Sequence, residues 1–80
     1  MKDNQIITTI DDLVAEEHQL REQHEQAPLN EDGLNRLRVI EESLDQCWDL
    51  LRQRRARREY GQNPDQAAAR SRNVVEGYRQ

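Results

Sequence analysis

Five arginines in one short stretch are the residues of this chain with the clearest chemical potential. Residues 50–59 read LLRQRRARRE, and the arginines are Arg52, Arg54, Arg55, Arg57 and Arg58. A guanidinium forms paired hydrogen bonds with phosphates and carboxylates alike. The run could therefore bind nucleic acid, bind an acidic protein partner, or pair with acids of this chain.

Pairing within the chain is the favoured interpretation of the arginine run. In this interpretation the arginines cap the helix end and pair with acids such as Asp3, Asp11, Asp12 and Glu59. The net charge is −4, which disfavours non-specific nucleic-acid binding by the chain as a whole. Base stacking also requires aromatic side chains, and only Tyr60 adjoins the run. Nucleic acid and a protein partner stay open as alternatives.

Acidic residues and histidines could form a metal site across two helices. The candidate ligands are Glu16, Glu17, His18, His24, Glu41, Glu42 and Asp45. Carboxylate-bridged helical bundles use Glu-x-x-His pairs on facing helices, but the residues three before the two histidines are Ala15 and Arg21. The required spacing is absent, so no metal site and no cofactor are predicted.

Cys47 and Trp48 could be a reactive thiol beside a ligand platform. A nucleophilic cysteine needs a nearby base and a lowered pKa, and the neighbouring helical positions hold mainly leucines. We therefore expect Cys47 to be a small core hydrophobe and Trp48 the largest core anchor, with any exposed edge of Trp48 marking a partner surface. No phosphate-binding loop, zinc motif or Ser-His-Asp arrangement is present, so no enzyme activity is predicted.

Composition fits either a partly disordered chain or amphipathic helices with a wide charged face, and the clustered, periodic apolar residues favour helices. It has 80 residues, of which 34% are hydrophobic and 35% charged. No apolar run approaches the roughly 20 residues of a membrane span, and the N-terminus lacks a signal-peptide pattern. A single cysteine cannot form an internal disulfide, and the expected location is the cytoplasm.

Apolar spacing predicts two helices, about 6–24 and about 31–60, separated by a turn at 25–30. Pro28 disfavours helix at the residue before it, and Asn30 suits the cap of the second helix. The apolar stripe of the first helix is Ile6, Ile10, Leu13 and Leu20, with Ile7 and Val14 beside it. The stripe of the second helix is Leu34, Leu37, Leu44, Trp48 and Leu51, flanked by Ile40 and Cys47.

The C-terminal part is predicted to hold a short helix at about 64–70 and a tail at 71–80. Asn63 and Pro64 form a helix-start signal, and three alanines follow it. The tail carries a small apolar group, Val74, Val75 and Tyr78.

The resulting fold class is all-α, an antiparallel helical hairpin with a coiled-coil-like seam. The second helix is the longer, so its last turns, Arg52 to Tyr60, project beyond the first. Either the tail or a second copy could cover them. A lone hairpin buries only one stripe per helix, so we expect a dimer forming a four-helix bundle.

The chain resembles a family of short bacterial proteins catalogued as domain of unknown function 2630. The matching segments include 13–18, 44–56, 63–65 and 75–78, and the longest reads LDQCWDLLRQRRA. The resemblance covers most of the chain, and the turn around Pro28 departs from the more charged versions in that family. It implies no activity, ligand or catalytic residue.

The predicted function is a non-enzymatic helical protein–protein interaction module that self-associates and has a regulatory role. The alternative is a small nucleic-acid-associated factor that uses the arginine run. The candidate interaction surface is Trp48, Arg52, Arg54, Arg55, Arg57, Arg58 and Tyr60.

Overall fold

The computed structural model describes residues 2–68, which form an antiparallel pair of helices followed by one short turn. Helix α1 is Asp3–Gln26, helix α2 is Glu31–Glu59, and a 3-10 turn is Pro64–Gln66. No β-strand occurs within this part of the chain. The predicted all-α helical hairpin is confirmed.

The reversal between the helices is held from both sides. Ala27 ends α1 in an extended conformation, with φ −155° and ψ 137°, as expected for the residue before Pro28. On the α1 side, His24 Nδ1 accepts a hydrogen bond from the Leu29 N–H at 3.1 Å. On the α2 side, the Asn30 side-chain oxygen accepts one from the Gly33 N–H at 2.9 Å, which satisfies an otherwise unpaired amide of the first turn.

Helix α1 begins three residues earlier than predicted. Lys2 occupies the cap position, and its backbone N–H donates to Gln5 Oε1 at 2.8 Å. Asp3 lies in the first turn, where the helix dipole favours a negative charge. The longer α1 places the Asp3 carboxylate beside the last turns of α2.

Helix α2 ends in a glycine-dependent turn. Gly61 has φ 70°, the left-handed conformation that side chains disfavour. The Gln62 N–H donates to the Arg57 carbonyl at 2.7 Å, and the Gly61 N–H donates to the Arg58 carbonyl at 3.2 Å. These two bonds define a Schellman motif, which turns the chain back along α2.

The predicted helix at 64–70 is wrong over its described part. Asn63 does cap the segment, accepting from the Asp65 N–H at 3.0 Å. The helix nevertheless stops after one 3-10 turn, and Ala67 is extended, with φ −65° and ψ 143°. Side chains of α2 compete for the carbonyls here, since Arg54 donates to the Pro64 oxygen and Gln53 to the Ala68 oxygen. Residues 69–70 and the tail with Val74, Val75 and Tyr78 lie outside the described residues.

The core is the seam between the two helices. Its buried hydrophobic residues are Ile6, Ile10, Ile40, Leu44 and Leu50. The partly buried residues against them are Leu13, Leu20, Cys47, Leu51 and Ala67. Most of these residues belong to the predicted stripes, whereas Leu50 and Ala67 do not. Ala67 belongs to residues 62–68, which run back along α2 and which we call the returning segment. This segment therefore also covers part of the core.

Four residues of the predicted stripes are not core. Ile7, Val14, Leu34 and Trp48 are between 43% and 49% exposed. Among the described residues, each helix packs against one other helix along the hairpin, so a side chain roughly a quarter turn from the seam reaches its edge but is not enclosed. The expectation that Trp48 is the largest core anchor is therefore wrong.

We expect Leu44→Ala to lower the free energy of unfolding by about 2–5 kcal/mol, because it removes a buried side chain from the seam. Val39→Ala is the control, since Val39 is 47% exposed and surface changes are usually within about 0.5 kcal/mol. Urea unfolding followed by circular dichroism measures both. Equal losses in the two variants would contradict a core at this seam.

Candidate interaction surface

Arg54 lies at the centre of the arginine run and is buried. Only 6% of it is exposed. Its Nε pairs with Asp3 Oδ1 at the start of α1. Its Nη1 donates to Asp65 Oδ1 at 3.0 Å and to the Pro64 carbonyl at 3.1 Å. One guanidinium therefore joins α1, α2 and the 3-10 turn.

Asp3 receives a second arginine. Arg58 Nη1 lies 2.8 Å from Asp3 Oδ2, so the two carboxylate oxygens are bound by different guanidinium groups. The hydrogen bond from Arg54 is the main cause that lowers the pKa of Asp3, and the charges of Arg58 and Arg54 lower it further. The same bond raises the pKa of Arg54. Pairing within the chain is thus observed for these two arginines.

The other arginines of the run are more exposed. Arg55 Nε pairs with Glu59 Oε1 at 3.1 Å, one turn further along α2. Arg52 and Arg57 make no ion pair within residues 2–68. The predicted partners Asp3 and Glu59 are found, but no arginine of the run pairs with the predicted partners Asp11 and Asp12 in that range. Tyr60 is 81% exposed.

Two further ion-pair sites lie on opposite sides of the seam. On one side, Arg36 Nη2 donates to Glu16 Oε1 at 2.8 Å, and this bond is the main cause that lowers the pKa of Glu16. On the other side, Arg21 Nη2 lies 2.7 Å from Glu41 Oε1 and 3.6 Å from Glu17 Oε2. Glu17 and Glu41 thus meet through a shared arginine.

The candidate metal ligands do not converge. Within the described part of the chain, no three His, Cys, Asp or Glu side chains are placed to hold one metal ion. His18 Nε2 lies 3.0 Å from Glu22 Oε1 on the same helix, and His24 is occupied in the reversal. Both histidines therefore have structural contacts of their own.

Cys47 packs partly buried against the core. Burial raises the pKa of its thiol, which disfavours the thiolate that nucleophilic chemistry requires. These observations agree with the expected role of a small core hydrophobe.

Asp49 is a buried acid that the sequence did not single out. It is 1% exposed, and its Oδ2 accepts a hydrogen bond from Gln53 Nε2 at 2.9 Å. The same Gln53 nitrogen reaches the Ala68 carbonyl at 2.8 Å. The side of α2 that carries Asp49 and Gln53 therefore faces the returning segment. The apolar stripes could not reveal this contact, because they report only the side of α2 that faces α1.

Exposed apolar residues follow a seven-residue spacing on one side of the hairpin. Residues seven apart are two turns apart and share a side of a helix. We call this side the Trp48 flank, and its members are Ile7, Val14 and Arg21 on α1 and Leu34, Glu41, Trp48 and Arg55 on α2. It contains four of the six exposed large hydrophobic residues of the described chain.

The Arg21–Glu41 ion pair shows that the α1 and α2 members of the Trp48 flank lie on the same side of the hairpin. The helices are antiparallel, so the residues before Arg21 in α1 lie alongside the residues after Glu41 in α2. Ile7, Val14 and Trp48, which are between 45% and 49% exposed, form the apolar centre of the flank. The Arg21–Glu41 pair lies at one end of this centre and Arg55 at the other. Sequence reasoning placed these apolar residues in the core stripes and missed the flank, although the seven-residue spacing was readable.

The fold and this surface define a class of protein, a small helical hairpin with one exposed apolar flank. A family model described as "Protein of unknown function (DUF2630)" matches residues 2–80. The chain belongs to this family, which confirms the resemblance seen in its residues. Within the described residues of this chain, neither α1 nor α2 contains an apolar stretch of the length that a membrane span requires.

Relatives occur in mycobacteria. The chain is 49% identical over 77 residues to an uncharacterized protein of Mycobacterium bovis and to an uncharacterized protein of Mycobacterium tuberculosis (strain H37Rv). Each alignment covers 95% of this chain and 88% of the relative. No solved structure matches the chain at a significant level.

We expect Asp3→Asn to reduce the dependence of stability on acid. The folded-state pKa of Asp3 lies below its ordinary value of 3.8, so its stabilising contribution is complete above that value and is lost as pH falls through the lower, folded value. Wild type should be the more stable protein at neutral pH, and the difference should shrink below about pH 4. Urea unfolding at a series of pH values measures this.

Asp11→Asn is the matched control for the acid series, because Asp11 is an exposed acid of the same helix. It should leave the acid limb of the wild-type curve in place. A constant difference between wild type and Asp3→Asn at every pH would contradict the role assigned to the Asp3 carboxylate.

Proposed function

We propose that this protein is a non-enzymatic helical protein–protein interaction module that self-associates through the Trp48 flank. The observation that carries the proposal is the concentration of exposed large apolar residues on that flank. Contiguous exposed apolar surface on a small protein marks interaction sites. Tryptophan, which lies at the centre of the flank, is also enriched among the residues that dominate binding energy.

The size of the chain supports association. A domain of about 60–80 residues buries a smaller fraction of its surface than larger domains do, and such proteins often gain stability by oligomerisation. Covering Val14 and Trp48 would add to a core that, within residues 2–68, lies mainly along one seam. A regulatory role belongs to the same proposal, because a non-enzymatic module acts through what it binds.

The alternative function, nucleic-acid association through the arginine run, depends on arginines that are free to contact phosphates. Arg52 and Arg57 favour it, since neither forms an ion pair within the described residues. Three others, Arg54, Arg55 and Arg58, are engaged with carboxylates of this chain. A phosphate would have to displace those carboxylates, so fewer arginines of the run are available to bind nucleic acid than its sequence suggests.

We expect wild-type protein at micromolar concentration to have a sedimentation mass above that of one chain. Trp48→Ala should raise the dissociation constant by tenfold or more, about 1.4 kcal/mol or above, since truncated interface tryptophans often cost at least about 2 kcal/mol. Val39→Ala, which alters an exposed apolar residue off the Trp48 flank, is the control. Monomeric wild type at all accessible concentrations would refute self-association.

A salt titration separates the two functions. Binding that depends on phosphate contacts weakens steeply as salt rises. We expect affinity for duplex DNA or RNA to be weak, with no steep loss between about 50 mM and 200 mM salt. The opposite result would be tight binding that weakens steeply with salt, with the steepness reduced in Arg52→Gln and Arg57→Gln. That result would favour the nucleic-acid function.

A further inference from the structure

We propose that two copies of this chain associate with their α2 helices antiparallel, related by a two-fold axis that passes beside Trp48. This arrangement rests on the self-association proposed above and specifies its geometry. The partner is thus a second copy of the chain, recognised by the same flank that it presents.

The charges around Trp48 select this geometry. Glu41 lies seven residues before Trp48 and Arg55 lies seven residues after it. A two-fold axis at Trp48 places Glu41 of one copy opposite Arg55 of the other, and the reverse pair forms at the other end. A parallel arrangement would instead place Glu41 against Glu41 and Arg55 against Arg55, and like charges at close range destabilise an interface.

Both charged groups are available for such a pair. The Arg55 side chain is 78% exposed and the Glu41 side chain is 45% exposed. Their present partners, Glu59 and Arg21, are themselves solvent-exposed, and exposed ion pairs contribute little stability. A carboxylate also accepts more than one donor, so Glu41 can keep Arg21 while it meets Arg55 of the second copy.

The apolar residues fit the same axis. The apolar centre lies between the charged ends of the flank, so an axis beside Trp48 places the apolar centre of one copy against that of the other. The charged pairs then flank this centre, which matches the apolar core and polar rim of protein interfaces. A two-fold interface has to be self-complementary, and this flank meets that requirement in both charge and hydrophobicity.

The charge reversals Arg55→Glu and Glu41→Arg test the arrangement. Each variant alone places like charges at both ends of its own dimer, so each dissociation constant should rise about tenfold or more relative to wild type. An equimolar mixture allows a mixed dimer in which both pairs are again opposite. Sedimentation equilibrium of the mixture should therefore recover an affinity close to that of wild type.

Arg57→Glu is the matched control, because it makes the same charge change on the opposite side of α2 from the Trp48 flank. It should leave the dissociation constant within about twofold of wild type, a change below about 0.5 kcal/mol. Circular dichroism checks that each variant keeps its helices. A mixture that associates no better than the separate variants would overturn the antiparallel geometry, while wild-type self-association would leave the proposed function standing.

Crosslinking gives a second test if Glu41→Arg fails to fold. In a Cys47→Ala background, a cysteine replaces Arg52 or Leu34 in separate variants. Across the proposed axis, two copies of residue 52 are offset by about 12 Å along the helices, and two copies of residue 34 by about 42 Å. A short bis-maleimide should link the Arg52→Cys chains and not the Leu34→Cys chains. Equal linking of both variants would indicate a parallel arrangement and overturn the proposal.

Discussion

Burial of aliphatic side chains between the two helices is the interaction on which the rest of the structure depends. Ile6 and Ile40 are fully enclosed at this seam, and Leu44 nearly so. The helices are rich in charge, and helices in water are stabilised mainly by packing an apolar face. The seam can form only because the chain reverses at Pro28, so burial of these side chains depends on the reversal. The ion pairs on either side of the seam then fix how the helices are aligned along it.

Sequence periodicity predicted the hairpin because both helices repeat their apolar residues with helical spacing and the break between them is marked by Pro28 and Asn30. It could not predict how wide the buried stripe would be. That width depends on how many neighbours surround each helix, and periodicity does not report this number. Trp48 was assigned to the core for its type, but its position at the edge of the seam leaves it half exposed. Pairing of Arg54 with Asp3 was expected, whereas its contact with Asp65 was not, because that contact requires the chain to turn back at Gly61.

The arginine run is notable for its residue types, whereas the Trp48 flank is notable for the positions of its residues in the fold. The run looked like the functional feature because its composition is unusual, yet its central guanidinium is buried and serves to hold the fold. The flank has ordinary composition, and only its exposure and seven-residue spacing distinguish it. Exposure is a property of the folded chain. The structure therefore favours a surface of apolar residues in the middle of α2, whereas the sequence favoured one made mainly of charged residues at its end.

The contacts of Arg54 also affect how the start of α1 and the 3-10 turn unfold. Its side chain joins residues 3, 54 and 65, so the start of α1 and the 3-10 turn are held by the same buried charge. Opening of either element would leave that charge with fewer partners in a poorly hydrated position, which is costly. The start of α1 and the 3-10 turn are therefore expected to open cooperatively, and amide hydrogens at the start of α1 would exchange with solvent in step with those near Asp65.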